Sequence, residues 1–339
     1  MQRSTIMIAL LSPEDGAVLS TLTPVQRDFY EHYEEYSVPE YDWRTKSGVG
    51  AEDVTIPDPY RFAWETDEEN AVFLLKDEKG NTVYRQEGGT SAEVYNLLIG
   101  KTYSWQVGSS EIRHFTTDGT TPRWIRLDGT FNVRDIGGYR TTDGKVIKQG
   151  LLYRGCEMDR ALFITEEGIR AAREDLGIRT DLDLRGERLG ITTESPLGPD
   201  IRFEIFHTYA YGECIDLPEG MAAAKKVFDV LSDPEAYPIF LHCAAGADRT
   251  GTFAYLMQAL LGVPDDELDR DYEMTTLSNQ NPKSRHSPFY RSLIDDLNKH
   301  GHDTKSRVET YLTKCCGVSE EAIARIRALF LSDDNETDK

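Results

Sequence analysis

The chain has 339 residues, 39% of them hydrophobic and 29% charged, with a formal net charge of −21. Such a length suits two domains with sizeable cores. Such acidity excludes nucleic acid and anionic membrane as partners, because both attract basic surfaces.

No run of about twenty apolar residues is present, and the apolar stretch 6–11 is too short for a signal peptide. The five cysteines, all at or beyond Cys156, are odd in number and do not form a disulfide framework. These features lead to an expectation of a cytoplasmic protein, with export under a signal outside this sequence as the alternative.

From the N-terminus, short alternating runs at 60–64, 71–75, 82–85, 102–107 and 112–116 are separated by turn signals, including Lys79-Gly80-Asn81 and Gly88-Gly89. That spacing predicts hairpins in a small all-β sandwich. Residues 25–54 are polar and aromatic and read as a helix plus an insertion. Tyr30, Tyr33, Tyr36, Tyr41, Trp43, Trp64 and Trp105 are read as core or packing residues ahead of a carbohydrate-binding face. The character changes at Thr120-Thr121-Pro122, so the expected domains are 1–121 and 122–332, with a charged, disordered tail at 333–339.

Beyond residue 123 the pattern alternates between strand and helix. A helix at 166–176 ends at Gly177, strands follow at 179–184 and 202–207, and a helix follows at 222–231. An apolar run at 237–241 then leads into a helix carrying Phe253, Leu256, Met257, Leu260 and Leu261. Segment 279–300, with Phe289 and Tyr290 amid Arg285, His286 and Arg291, reads as helix packing, with a lid or recognition surface as the other reading. The expected fold class is α/β: a parallel or mixed sheet flanked by helices, which gathers ligands at the carboxyl ends of its strands.

The stretch His242-Cys243-Ala244-Ala245-Gly246-Ala247-Asp248-Arg249-Thr250-Gly251 lies between the apolar run and that helix. Residues 244–249 form a phosphate cradle, since amides at a helix N-terminus point at an anion and the helix dipole reinforces them. The same field favours the Cys243 thiolate. Arg249 offers a planar fork for two phosphoryl oxygens, Gly246 allows positive φ, and Thr250 is placed to bond the sulfur. Cys156, Cys214, Cys315 and Cys316 lack an arginine six residues on, and the stretch 242–251 itself holds no Gly-Lys-Ser/Thr of a nucleotide loop.

HCAAGADRTG resembles the active-site loop of the cysteine-dependent protein tyrosine phosphatases, in particular the bacterial tyrosine/lipid phosphatase family. Asn132-Val133-Arg134-Asp135-Ile136-Gly137-Gly138-Tyr139, Asp143-Gly144 and Leu152-Tyr153-Arg154 resemble that family's N-terminal element. Further matches are Asp183-Leu184-Arg185 and the helical segment 308–331 with Gly317-Val318-Ser319. Separately, Leu97-Leu98 and Gly100-Lys101-Thr102-Tyr103-Ser104-Trp105 resemble the late strands of a fibronectin type III-like sandwich.

The phosphatase resemblance implies a cysteinyl-phosphate mechanism without metal or other cofactor, acting on phosphorylated protein or a small phosphomonoester. Protein tyrosine phosphatase is the first reading, and phosphoinositide phosphatase or a phosphopeptide-binding module are the alternatives. One departure is Ala247, where the family usually has lysine; this favours phosphotyrosine and leaves Arg249 and the amides to carry the charge. Rhodanese-like and arsenate-reductase readings do not account for 132–139. For the general acid, Asp248 and Asp183 are the candidates, with Asp216 third. Asn132, Arg134 and Asp135 are expected to brace the loop, and His242 to orient the cysteine.

Overall fold

The computed structural model describes residues 7–36, 38, 43–48, 50–186, 193–279 and 282–333. Its chain crosses three times between two units. One comprises Met1–Thr23 with Pro57–Thr121, the other Pro24–Ile56 with Pro122–Lys339. This departs from the expected contiguous boundary after residue 121, because 24–56 packs with the C-terminal part. The reason lies in its side chains and its edge hydrogen bonds. Phe29, Tyr36 and Trp43 are buried, and the Val54 amide donates to Leu277 O at 3.1 Å.

Among the described residues the first unit has eight strands: β1 (Ile8–Ser12), β2 (Ala17–Leu19), β3 (Tyr60–Thr66), β4 (Val72–Lys76), β5 (Thr82–Glu87), β6 (Ser91–Val94), β7 (Thr102–Val107) and β8 (Arg113–Thr117). They form a three-stranded sheet ordered β1-β3-β6 and a five-stranded sheet ordered β2-β8-β7-β4-β5. Alternation puts Phe62 and Trp64 of β3 against Phe73, Trp105 and Phe115 of the other sheet. Trp64 stacks on Phe73 with ring centroids 5.3 Å apart. Trp64 and Trp105 are each 1% exposed, so they serve the core and offer no carbohydrate face. Tyr103 Oη accepts from the Leu98 amide at 3.0 Å and fixes the turn before its strand.

The second unit opens with α1 (Pro24–Tyr36), kinked at His32, and α2 (Trp43–Ser47). Tyr30, Tyr33, Tyr36 and Trp43 therefore belong here and not to the sandwich; Tyr41 lies outside the described residues. There follow β9 (Arg134–Asp135), β10 (Val146–Ile147), β11 (Leu152–Gly155), α3 (Glu166–Arg170), β12 (Thr180–Asp183), β13 (Arg202–Ile205), α4 (Tyr211–Asp216), α5 (Pro218–Leu231) and β14 (Ile239–His242). The chain ends in α6 (Arg249–Leu261), α7 (Asp265–Glu273), α8 (Pro288–Leu297), α9 (Thr304–Thr310), α10 (Glu320–Phe330) and β15 (Leu331–Ser332). Residues 280–281 of the 279–300 segment and 334–339 of the expected tail lie outside the described residues.

The main sheet has the order β13-β12-β14-β11-β9. Its first four strands are parallel and β9 runs antiparallel at the edge. The central β14 is fully buried, as its run Ile-Phe-Leu predicts for a strand covered on both faces. It delivers its carboxyl end directly to α6. Every residue of α6 from Thr250 to Leu261 is buried, and Gly262, at φ +93°, ends it in the left-handed conformation.

Candidate active site

The loop from Cys243 to Asp248 spans the gap between β14 and α6, and its backbone is polarised. Every carbonyl from Cys243 to Asp248 is engaged. Cys243 O meets His242 Nδ1 at 3.3 Å, and Ala244 O accepts from the Glu157 amide at 3.1 Å. Ala245 O accepts from Asn132 Nδ2 at 3.3 Å, and Gly246 O from Arg154 at 2.9 Å. Ala247 O and Asp248 O accept from the Gly251 and Thr252 amides of α6. By contrast, the amides of Ala244 through Arg249 have no acceptor among the described residues. Backbone donors are rarely left unpaired. A row of them at the start of a thirteen-residue helix is a geometry suited to an anion.

The turn depends on Gly246, at φ +62°. A Cβ there would lie 2.5 Å from the carbonyl carbon of Gly155 on β11. Behind the loop is a buried ion cluster. Arg134, Arg154 and Asp271 are all at most 3% exposed. Arg134 Nε donates to Asp271 Oδ1 at 3.2 Å, and Arg154 donates to Asp271 Oδ2 at 2.5 Å. Asn132, in the left-handed region at φ +56°, takes a bond from Arg134 on its side-chain oxygen while its nitrogen serves the loop. Its amide donates to Thr55 Oγ1 at 2.8 Å, so the 24–56 segment supports the same brace.

A sequence model described as "Tyrosine phosphatase family" matches residues 125–332, which is more than half of the chain and includes the 243–248 loop with Asn132, Arg134, Arg154 and Asp271 but not Thr55. The chain belongs to the tyrosine phosphatase family. Over 126 residues it is 29% identical to a tyrosine-protein phosphatase of Nostoc commune, covering 31% of this chain and 43% of that protein. The match thus spans less than half of that curated relative. Among solved structures, the core catalytic domain of a PP-IP phosphatase from S. cerevisiae, in complex with citrate, is similar at 16% identity, covering 42% of this chain and 78% of that one, with a TM-score of 0.31.

Within this family member the five cysteines differ in their electrostatics. Burial pushes the Cys214 and Cys316 thiols up to about 12 and raises Cys156 further. Burial also opposes ionisation of Cys243. It is outweighed by bonds from the Thr250 hydroxyl and amide and by the charges of Arg249 and His242, which leave that thiol below its ordinary value. The Thr250 hydroxyl is fully buried and makes no hydrogen bond to an oxygen or nitrogen among the described residues. His242 is itself buried, which disfavours its charge, yet Asp181, 2.9 Å from Nε2, lifts it to about 9. Its imidazolium orients and polarises the strand end; it is not placed as a base.

The remaining predicted residues separate. Asp183 is fully buried, and both its oxygens are occupied by Arg185, which donates its amide at 2.7 Å and its guanidinium at 2.7 to 3.0 Å. Held on both oxygens, it pins the end of β12 to the neighbouring Arg185. Asp216 ends α4 in an exposed pair with Lys299 at 3.2 Å. Asp135 accepts from Arg123, Gly137 and Gly150, and these bonds hold the 137–150 turn. Asp248, at the N-terminus of α6, accepts from Tyr211 Oη at 2.5 Å and Lys283 Nζ at 2.6 Å. Burial would raise this carboxyl, but those two donors and Arg249 hold it below the usual carboxylate range. Lys283, from a distant segment, is paired with Asp248.

Sequence reasoning missed Asp271, Lys283 and Tyr211. Tyr211 had a signal only in its conformation, φ +55°, which the sequence does not display.

Proposed function

We propose that the chain hydrolyses phosphomonoesters through a cysteinyl-phosphate on Cys243, with phosphotyrosine-type aryl phosphates as its substrates. The observation that carries this reading is the polarised loop: carbonyls paired outward, amides unpaired, and beside them Cys243 with its thiol lowered.

In this mechanism the thiolate attacks phosphorus in line with the departing oxygen, and Arg249 with the loop amides holds the equatorial oxygens. The cradle, the helix dipole and Arg249 supply positive potential themselves, so the reaction proceeds without a metal. Asp248 is the proton donor to the leaving oxygen in this reading, because it stands in the loop itself beside Arg249 and both its contacts fall on Oδ1, whereas Arg185 occupies both oxygens of Asp183. The Thr250 hydroxyl stabilises the sulfur as it leaves the intermediate.

Turnover of p-nitrophenyl phosphate in the presence of EDTA tests the reading. Loss of turnover in Cys243→Ser supports it, and full activity in that variant overturns it. A panel of phosphotyrosine peptide, phosphoserine peptide and phosphoinositide then separates aryl from alkyl and lipid preference. Asp248→Asn should slow esters with poor leaving groups more than good ones; equal slowing across the series excludes Asp248 as the acid.

No helix among the described residues is long and apolar enough to cross a membrane. All five cysteines are free, and we place the chain in a reducing, cytoplasmic compartment that keeps Cys243 reactive. The fibronectin type III likeness of the first unit is part of the same proposal. It rests on the two-sheet sandwich and on the Tyr103 hydroxyl bonded back to the chain five residues upstream.

A further inference from the structure

Asp248 carries two donors that its part in the reaction has to reverse. Lys283, Tyr211, Tyr272 and Arg249 face it from the 278–287 connection, α4, α7 and α6. Tyr272 Oη lies 3.1 Å from Tyr211 Oη, behind the contact that Tyr211 makes with Asp248.

Lys283 is not a loose surface lysine. Its side chain is only 16% exposed. Its amide donates to Thr276 Oγ1 at 2.9 Å, and the same hydroxyl donates to its carbonyl at 3.1 Å. Thr276 is buried, and the preceding Thr275 accepts from Asn132 and Arg134 of the brace that holds the loop carbonyls. Its root is therefore fixed to the scaffold of the cradle. Its ammonium sits on a flexible four-carbon stem, which can turn between two acceptors while the backbone stays in place. A phosphate dianion in the ring of amides carries more charge than one carboxylate, so the favoured partner of that ammonium changes when the dianion arrives.

We propose that Lys283 is a positioning residue of the phosphoryl site: its ammonium holds Asp248 while the site is empty and moves onto the incoming phosphate. This rests on the reading of Asp248 as the proton donor. With Lys283 withdrawn and a dianion close by, Asp248 takes a proton from solvent. As the S–P bond forms and the P–O bond breaks, that proton passes to the leaving oxygen and Asp248 returns to carboxylate. In the second step the carboxylate takes a proton from the attacking water, and the thiolate leaves phosphorus.

The test compares Lys283→Met and Lys283→Arg with the unmodified protein, reading competitive inhibition by inorganic phosphate and the pH profile of p-nitrophenyl phosphate turnover. In Lys283→Met the inhibition constant for phosphate should rise about tenfold, as for loss of a charged hydrogen bond, with KM rising more than kcat falls. The basic limb of kcat/KM should move to higher pH, because Asp248 has lost a donor that favours its ionised form. Lys283→Arg should restore most of the phosphate affinity. An unchanged phosphate constant in Lys283→Met, or equal loss in both variants, overturns the proposal. Leaving-group dependence in Asp248→Asn judges the acid assignment separately, and in that background the phosphate effect of Lys283→Met should persist while the pH shift vanishes.

Discussion

At the residue scale, the lowered Cys243 thiol owes part of its shift to the buried hydroxyl of Thr250. Thr250→Val keeps the shape of that side chain and removes the bond to sulfur. Loss of one such bond should raise the thiol's apparent pKa by about one unit, read as the midpoint of iodoacetamide alkylation against pH. An unmoved midpoint would show that Arg249 and His242 suffice. Gly246 is constrained on two counts, positive φ and contact with Gly155. Gly246→Ala should cost about 1–3 kcal/mol through overpacking alone and should weaken phosphate binding, because the loop must move away from β11.

At the scale of elements, the site is β14 and α6 held in register by a charged cluster from β9, β11 and α7. Removing one partner from a buried ion group leaves the other uncompensated, so Asp271→Asn should destabilise the second unit by about 3–5 kcal/mol in chemical denaturation. A change under 1 kcal/mol would mean that the arginines find other acceptors.

The sequence made much of this legible. Cys243, Gly246, Arg249 and Thr250 lie within one short segment, where local rules of turn and helix start apply, and the phosphate loop is visible in them. The strands at 60–66, 72–76 and 102–107 alternate cleanly and are visible for the same reason. Asp271 and Lys283 were not legible, since each reaches the loop across a fold that brings distant residues together. The short strands β1, β2 and β6 were missed because their burial alternates weakly or over too few positions. The pairing of Asp183 with its neighbour Arg185 was not legible either, since an aspartate at the end of an inner strand looks alike in sequence whatever it faces.

For the whole molecule, pH acts through groups the fold has shifted in opposite directions. His242 is raised to about 9 by Asp181. Its contribution to stability is therefore fully present below the unfolded value of roughly 6.5 and is lost as pH rises through about 9. Cys243, lowered on folding, titrates with the opposite sign across part of that window. The informative quantity is accordingly the difference between wild type and His242→Asn in urea midpoint from about pH 6 to 9.5. The wild type should lose more stability over that span, and parallel curves would dismiss the His242–Asp181 pair as its source.

The chain crossings bear on truncation too. A protein cut to residues 122–339, at the boundary that composition suggests, lacks Thr55 beneath Asn132 and the Val54 contact with Leu277. It should be less stable and less active than the full chain, and undiminished activity would show that the brace stands without them.

Those crossings also fix an order of events at the ribosome. Domains generally fold as units, N-terminal first as they are synthesised. Here residues 24–56 emerge within the sequence of one unit but belong to the other. The sandwich can close as soon as residue 121 is out, whereas Phe29, Tyr36 and Trp43 must wait, uncovered, for about two hundred more residues, roughly ten to forty seconds of translation. A nascent chain arrested just after the sandwich should therefore recruit chaperones through that one interval, and deleting it should silence the signal.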